Sequence, residues 1–112
     1  MLSKDLVAAS TRPLILSILS RSESYGYEII QQVRALSGGE VEWKEGMLYP
    51  VLHRLQKEGL IEAEWRIAEN GRKRKYYYIK QEGTKALRVE RKQWGIVHSI
   101  LQKLWEKQPC LT

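Results

Sequence analysis

A chain of 112 residues holds one domain of ordinary size, and with 43% of them hydrophobic it can bury a core. The net charge of +6 favours a polyanionic partner, and the single cysteine, Cys110, excludes an internal disulfide. The longest apolar run, Pro13 to Leu19, is far short of a membrane span, and the mixed start MLSKDLV does not resemble a signal peptide. A cytoplasmic location without a membrane partner is expected.

Residues 3 to 21 read as helical, with Leu6, Ala9, Leu14, Ile15, Ile18 and Leu19 roughly on one side. Pro13 interrupts the stretch, so the helix kinks there or a second one starts with Thr11 or Arg12 as its cap. After a polar break, Ser24 is placed to cap a helix carrying Ile29, Ile30, Val33 and Leu36 at helical spacing, stopped by Gly38-Gly39. EVEW, residues 40 to 43, alternates and predicts a short strand.

The next stretch, WKEGMLYPVLHRLQKEGL, is a third helix ended by Gly59. At about 100° per residue, Leu48, Val51, Leu52 and Leu55 cluster on one side. Gly46, Pro50, His53 and Lys57 lie opposite, flanked by Tyr49 and Arg54. Both poor helix formers therefore face outward near the N-terminus. Pro50 is harmless if the helix starts near Met47; a start at Glu45 forfeits one backbone bond and predicts a bend. An apolar back, a small and polar front and a free N-terminus suit a helix that enters a major groove. The same pattern also fits an ordinary surface helix.

LIEAEWRIAENGRKRKYYYIK is two β-rich runs around Asn70-Gly71, a strong signal for a hairpin with a two-residue turn. Such a turn sets Trp65 opposite Tyr76 and Ala63 opposite Tyr78. Arg72, Lys73, Arg74 and Lys75 follow the turn directly. They suit backbone phosphate, and equally they would guard a sheet edge against aggregation. Gln81 to Lys107 is a long helix with Leu87, Trp94, Val97, Leu101 and Leu104 close to an a/d pattern, broken by Glu90. The tail QPCLT reads as loose. Trp43, Trp65 and Trp105 are assigned to packing.

The element order matches a winged helix: mainly α with a small β-hairpin, a helix-turn-helix core and wing over residues 1–80, then an appended helix at 81–107. The whole is read as a single domain. No nucleophile with a base, no carboxylate pair and no Cys or His spacing for a metal is present, so no catalytic or metal-binding residue is assigned and no cofactor is expected. Glu40, Glu42 and Glu45 read as a solvated acidic patch.

The segments YGYEIIQQV, GMLYPVLHRLQKEGLIEAEW and GRKRKYYYIKQEG, within residues 25 to 83, resemble the PadR family of bacterial transcriptional regulators. The resemblance implies a dimeric winged-helix repressor acting on near-palindromic double-stranded DNA. It makes the last helix the dimerisation element, through Leu87, Trp94, Val97, Leu101 and Leu104. It places Tyr25, Lys44, Met47, Tyr49, His53, Arg54 and Lys57, with the wing Gly71, Arg72, Lys73, Arg74 and Lys75, at DNA. Trp94 matches a tryptophan that lines an intersubunit cavity for flat hydrophobic molecules in multidrug-binding members, which makes Leu6, Ala9, Pro13, Trp94, Val97 and His98 candidate ligand contacts. Plain packing across a dimer seam also accounts for Trp94. Arg91 and His98 would make the cavity rim cationic and favour neutral or anionic aromatics. Lys80 stands where many relatives place a Thr that caps the last helix. A protein-interaction module and a ligand-independent repressor are the competing functions.

Overall fold

The structure, a computed structural model, describes residues 2–106. In chain order it runs α1 (Lys4–Arg21), β1 (Ser24–Tyr25), α2 (Gly26–Leu36), α3 (Glu45–Lys57), β2 (Ile61–Ile67), β3 (Lys73–Ile79) and α4 (Gln81–Glu106). It is mainly helical, with one antiparallel sheet of order β1-β3-β2. The tail that includes Cys110 lies outside the described residues.

α1 starts at Ser3, whose Oγ accepts from the Leu6 N–H at 3.2 Å, and it continues through Pro13 as one helix. No second helix starts there. Thr11 is buried inside the helix, and its hydroxyl donates to the Val7 carbonyl at 2.7 Å. Ile15, Leu16 and Leu19 of α1 meet Ile29 and Val33 of α2, Leu48, Leu52 and Leu55 of α3, and Ile61 and Tyr77 of the sheet in one core. Burying these side chains is the main favourable contribution to folding, each worth roughly 1.5–3 kcal/mol.

Two expected elements differ. EVEW forms no strand; Val41 and Trp43 instead drop into the core from an unpaired segment. Apolar alternation there reflects one buried side of a linker, not a ladder. The third strand is Ser24–Tyr25, paired with Tyr77 and Tyr76. Ser24 is therefore not the cap of α2. It is fully buried, its hydroxyl bonds to the Glu28 carboxylate, and the cap position falls to Tyr25 without a side-chain bond. Gly38 and Gly39, both at positive φ, turn the chain out of α2 as expected, with the Gly39 N–H donating to the Arg34 carbonyl at 2.8 Å.

The wing hairpin exists, with a different turn. The Ala68 N–H donates to the Arg72 carbonyl at 2.8 Å and the Gly71 N–H to the Ala68 carbonyl at 2.9 Å. The loop is thus three residues long. Only Gly71 takes positive φ, at 81°, which is a type I turn closed by a glycine bulge. The added residue moves the register by one. Trp65 faces Lys75 and Ala63 faces Tyr77, not Tyr76 and Tyr78.

α4 docks through its first turns. The Lys80 N–H donates to the Leu60 carbonyl at 2.9 Å, and Gly83 lies directly on the Leu60 backbone, where a Cβ would also come within 2.7 Å of Ile79 Cγ1. Leu87 is buried and Glu90, the break in the a/d pattern, reaches Arg12 of α1 at 3.3 Å. Arg12 also pairs with Glu58 at the end of α3 at 2.7 Å. From Arg91 onward every described residue of α4 is exposed, and the arm contributes to extents of 61 × 29 × 21 Å. Among the described residues no helix is long and apolar enough to cross a membrane.

Candidate nucleic-acid interface

α3 keeps Leu48, Leu52 and Leu55 in the core and presents Gly46, Pro50, His53, Arg54 and Lys57 outward. The helix begins at Glu45, so Pro50 lies within it and forfeits one backbone bond. Lys44 is its exposed cap residue and supplies no side-chain bond, leaving the Glu45 and Gly46 amides at the helix start open to an incoming acceptor. A Cβ at Gly46 would meet nothing within 4 Å, so the space beside it is open. Met47 is half-buried against the core, so it contributes only an edge to the outer face.

Between the start of α3 and the wing lies an open groove of about 770 Å³. It is lined by Tyr25, Gly26, Tyr27, Glu45 and Tyr49, and by Trp65, Arg72, Lys73, Arg74, Lys75 and Tyr77 of the hairpin. Tyr49 leans over Gly26, where a Cβ would sit 2.8 Å from its Cζ. Burial, reinforced by the Glu45 carboxylate, pushes the Tyr49 phenol above its usual range. Burial raises Tyr77 as well, with Tyr49 adding to it.

The outer face of the sheet is stacked. The Arg74 guanidinium lies 4.5 Å from the centroid of Tyr25, Tyr25 meets Tyr76 edge-on at 5.4 Å, and Arg66 lies 4.9 Å over Tyr76. Arg66 is neutralised by Glu23 at 2.7 Å and Glu64 at 3.4 Å, and the Glu23 carboxyl is held below the usual range by its hydrogen bond to Arg66. Among the described residues, Arg72, Lys73, Arg74 and Lys75 form no ion pair. All four line the groove, where Glu45 is the one acidic lining residue, and the Arg74 guanidinium is stacked on Tyr25.

The structure thus brings Tyr25, Tyr49 and Arg72 to Lys75 around one groove. Lys44, His53, Arg54 and Lys57 continue along the exposed front of α3, and Gly71 forms the wing tip. Trp65 was assigned to packing and is instead 64% exposed; Trp105, on α4, is exposed too. Trp65 shares the face of buried Ile61 but lies further toward the wing tip, past the edge of the core: alternation indicates which residues share a face, not how far along it the core extends.

A second hollow, of about 260 Å³, lies between α1 and α4 and is lined by Ser10, Pro13, Leu14, Ser17, Leu87, Arg91 and Trp94. Of the candidate ligand contacts it gathers Pro13 and Trp94. Leu6 and Ala9 lie on the exposed start of α1, and Val97 and His98 further out on α4. Ser10, Leu14 and Ser17 were not anticipated, although with Pro13 they form an i, i+3, i+4, i+7 row legible in the sequence.

A helix-turn-helix with a basic β-hairpin behind its second helix is the winged-helix architecture, which offers duplex DNA a helix for the major groove and a hairpin beside it. Residues 15–89 match the transcriptional regulator PadR-like family. A transcriptional regulator from Clostridium thermocellum superposes with TM-score 0.82 at 31% identity, covering 92% of this chain and 97% of that one. A PadR-like transcriptional regulator from Bacillus cereus gives 0.80 at 35% identity, covering 90% and 96%. In sequence, an uncharacterized protein of Lysinibacillus sphaericus is 33% identical over 95% of this chain and 97% of its own length. The Escherichia coli transcriptional regulator YqjI is 37% identical over 81% of this chain, a match that spans 42% of that longer protein. The chain belongs to the PadR-like family of transcriptional regulators. It is accordingly a DNA-binding regulator and not an enzyme.

Proposed function

We propose that the chain is a dimeric repressor that binds a near-palindromic duplex through α3 and the wing, and that a flat aromatic ligand between the subunits relieves repression. The observation that carries the DNA contact is the groove between α3 and the wing. Arg72, Lys73, Arg74 and Lys75, none of them in an ion pair among the described residues, line it together with Tyr25, Tyr49 and the open start of α3. Lys44, Met47, His53, Arg54 and Lys57 extend that contact along the major groove, with Gly71 to Lys75 on backbone phosphate.

Support for a dimer comes from α4. Trp94, Val97, Leu101 and Leu104 are exposed, as are Val89, Ile96 and Ile100. At about 100° per residue these cover roughly half the helix circumference, wider than a two-helix seam. Leu2, before α1, and Leu6, in its first turn, are exposed as well. A second copy offering its own α1 and α4 covers both rows. Trp94, 40% exposed at the mouth of its hollow, would then face its symmetry mate, with Leu6, Ala9, Val97 and His98 enclosing the space from either copy. Arg91 on the lining favours neutral or anionic ligands. A ligand that prefers one spacing of the two subunits shifts the population away from the DNA-fitting one. With α3 of each copy in successive major grooves, the half-sites lie about 34 Å apart. A cytoplasmic, nucleoid-bound location accompanies this reading.

The test is a gel shift of the purified chain against DNA upstream of its own gene, with random duplex as competitor at two salt concentrations. A discrete complex that survives competitor and is lost with Tyr49→Ala supports the reading. Equal binding to both DNAs that vanishes at higher salt contradicts it at that locus and favours a protein-interaction role. Quenching of Trp94 emission by flat aromatics separates a ligand-responsive repressor from a ligand-independent one.

A further inference from the structure

Trp65 is the one tryptophan that lines the groove. It lies toward the tip end of β2 and is 64% exposed, and Ile67, two residues on and on the same face, is 72% exposed. β2 is an edge strand of the sheet. A bare Trp and Ile on an edge strand invite unwanted association unless a partner covers them. The surroundings identify that partner. Trp65 lines the groove together with Tyr49, Tyr77 and the wing cations, and the Lys75 ammonium lies 6.0 Å from its ring centroid. Glu45 is the only acidic residue on the lining. An apolar blade set among unpaired cations is complementary to a surface on which apolar and anionic groups alternate at short range. The backbone of duplex DNA is such a surface, since each deoxyribose presents C–H groups between two phosphates.

We propose that Trp65, backed by Ile67, is an apolar contact between the wing and the deoxyribose walls of a duplex. It raises affinity by removing apolar surface from water, while Arg72 to Lys75 hold the flanking phosphates. The contact rests on the DNA-binding reading above. It carries no sequence information, because every nucleotide has the same sugar.

This contact differs from a charge contact in a measurable way. Trp65→Ala should weaken duplex binding about tenfold, which corresponds to about 1.4 kcal/mol, and weaken specific and random duplexes equally. The slope of log K against log salt should stay unchanged, whereas Arg72→Ala or Lys73→Ala should each reduce it by about 0.9. Trp65→Phe should restore most of the loss, and the melting temperature of both variants should match the native chain. A second measurement needs no disruptive variant. In protein labelled with 5-fluorotryptophan, Trp65→Phe assigns one of the four ¹⁹F resonances, and that resonance should lose its D₂O isotope shift in the native chain saturated with duplex. Native affinity in Trp65→Ala, or a Trp65 resonance still open to solvent in the saturated complex, overturns the contact while leaving DNA binding intact. Tighter binding of single-stranded than duplex DNA also overturns it, in favour of base stacking. Failure of the native chain to bind any DNA overturns the reading on which the contact rests, and the contact with it.

Discussion

Gly26 shows how one residue can govern the interface without touching DNA. It opens α2, and its missing Cβ leaves the space into which Tyr49 leans. Gly26→Ala should push the Tyr49 ring out of the groove. The expected outcome is a tenfold or greater loss of duplex affinity with a melting temperature within a few degrees of native, read by fluorescence anisotropy and thermal unfolding. Glu23 offers a pH test at the same scale. Its carboxyl lies below its ordinary range in the folded chain because Arg66 binds the ionised form. The contribution is therefore present above the ordinary carboxylate range and is lost as pH falls through the lowered folded value. Urea midpoints followed from pH 6 to pH 2 should fall less steeply in Glu23→Gln than in the native chain. Glu90 makes the opposite point about reading residues singly. In a heptad pattern it is a defect, and in the fold it is the partner of Arg12, which ties α4 to α1 and to the end of α3.

At the scale of elements, the start of α4 has room for improvement. The Lys80 carbonyl accepts from the Thr84 N–H at 3.0 Å, which makes Lys80 the cap position, and lysine has no oxygen to offer the free amides. Lys80→Thr should raise stability by about 1 kcal/mol, measured by urea unfolding, with DNA affinity unchanged. Most helices were legible from sequence because their apolar spacing is long and regular, as in Leu48, Leu52 and Leu55. Short or unsupported elements were not. Ser24–Tyr25 is too brief for alternation to register, and its pairing depends on β3 arriving from fifty residues away. EVEW alternates, yet no strand lies beside it, and β structure needs a neighbour. Asn70-Gly71 marks the hairpin correctly, but the two-residue turn expected from it is wrong, since the same pair also serves a three-residue loop with a glycine bulge. That single residue of register decided which tyrosine of β3 lies opposite Ala63, and Tyr77 rather than Tyr78 is the one there. The groove between α3 and the wing was more legible than the hollow between α1 and α4, because local spacing sets the face of α3 and the wing, whereas α1 and α4 meet only through tertiary packing.

At the scale of the molecule, the winged-helix body and the projecting arm of α4 pose separate questions. The body is closed on its own core, and the arm presents half a helix of apolar surface to water. Leu101→Asp together with Val97→Asp should leave the helical spectrum of the body intact and convert a dimer to the 13.1 kDa monomer in sedimentation velocity. The same pair should weaken specific DNA binding by at least a hundredfold, because two half-site contacts then become independent. Persistence of the dimer in that variant would place the interface elsewhere.

The most direct measurement is a hydroxyl-radical footprint of the native chain on the highest-affinity duplex recovered by selection from random sequence. Two protected patches on one face of the duplex, about one helical turn apart and related by two-fold symmetry, are the predicted result. A single patch, or protection without a recurrent sequence among the selected duplexes, would contradict a symmetric dimer reading DNA through α3 and the wing.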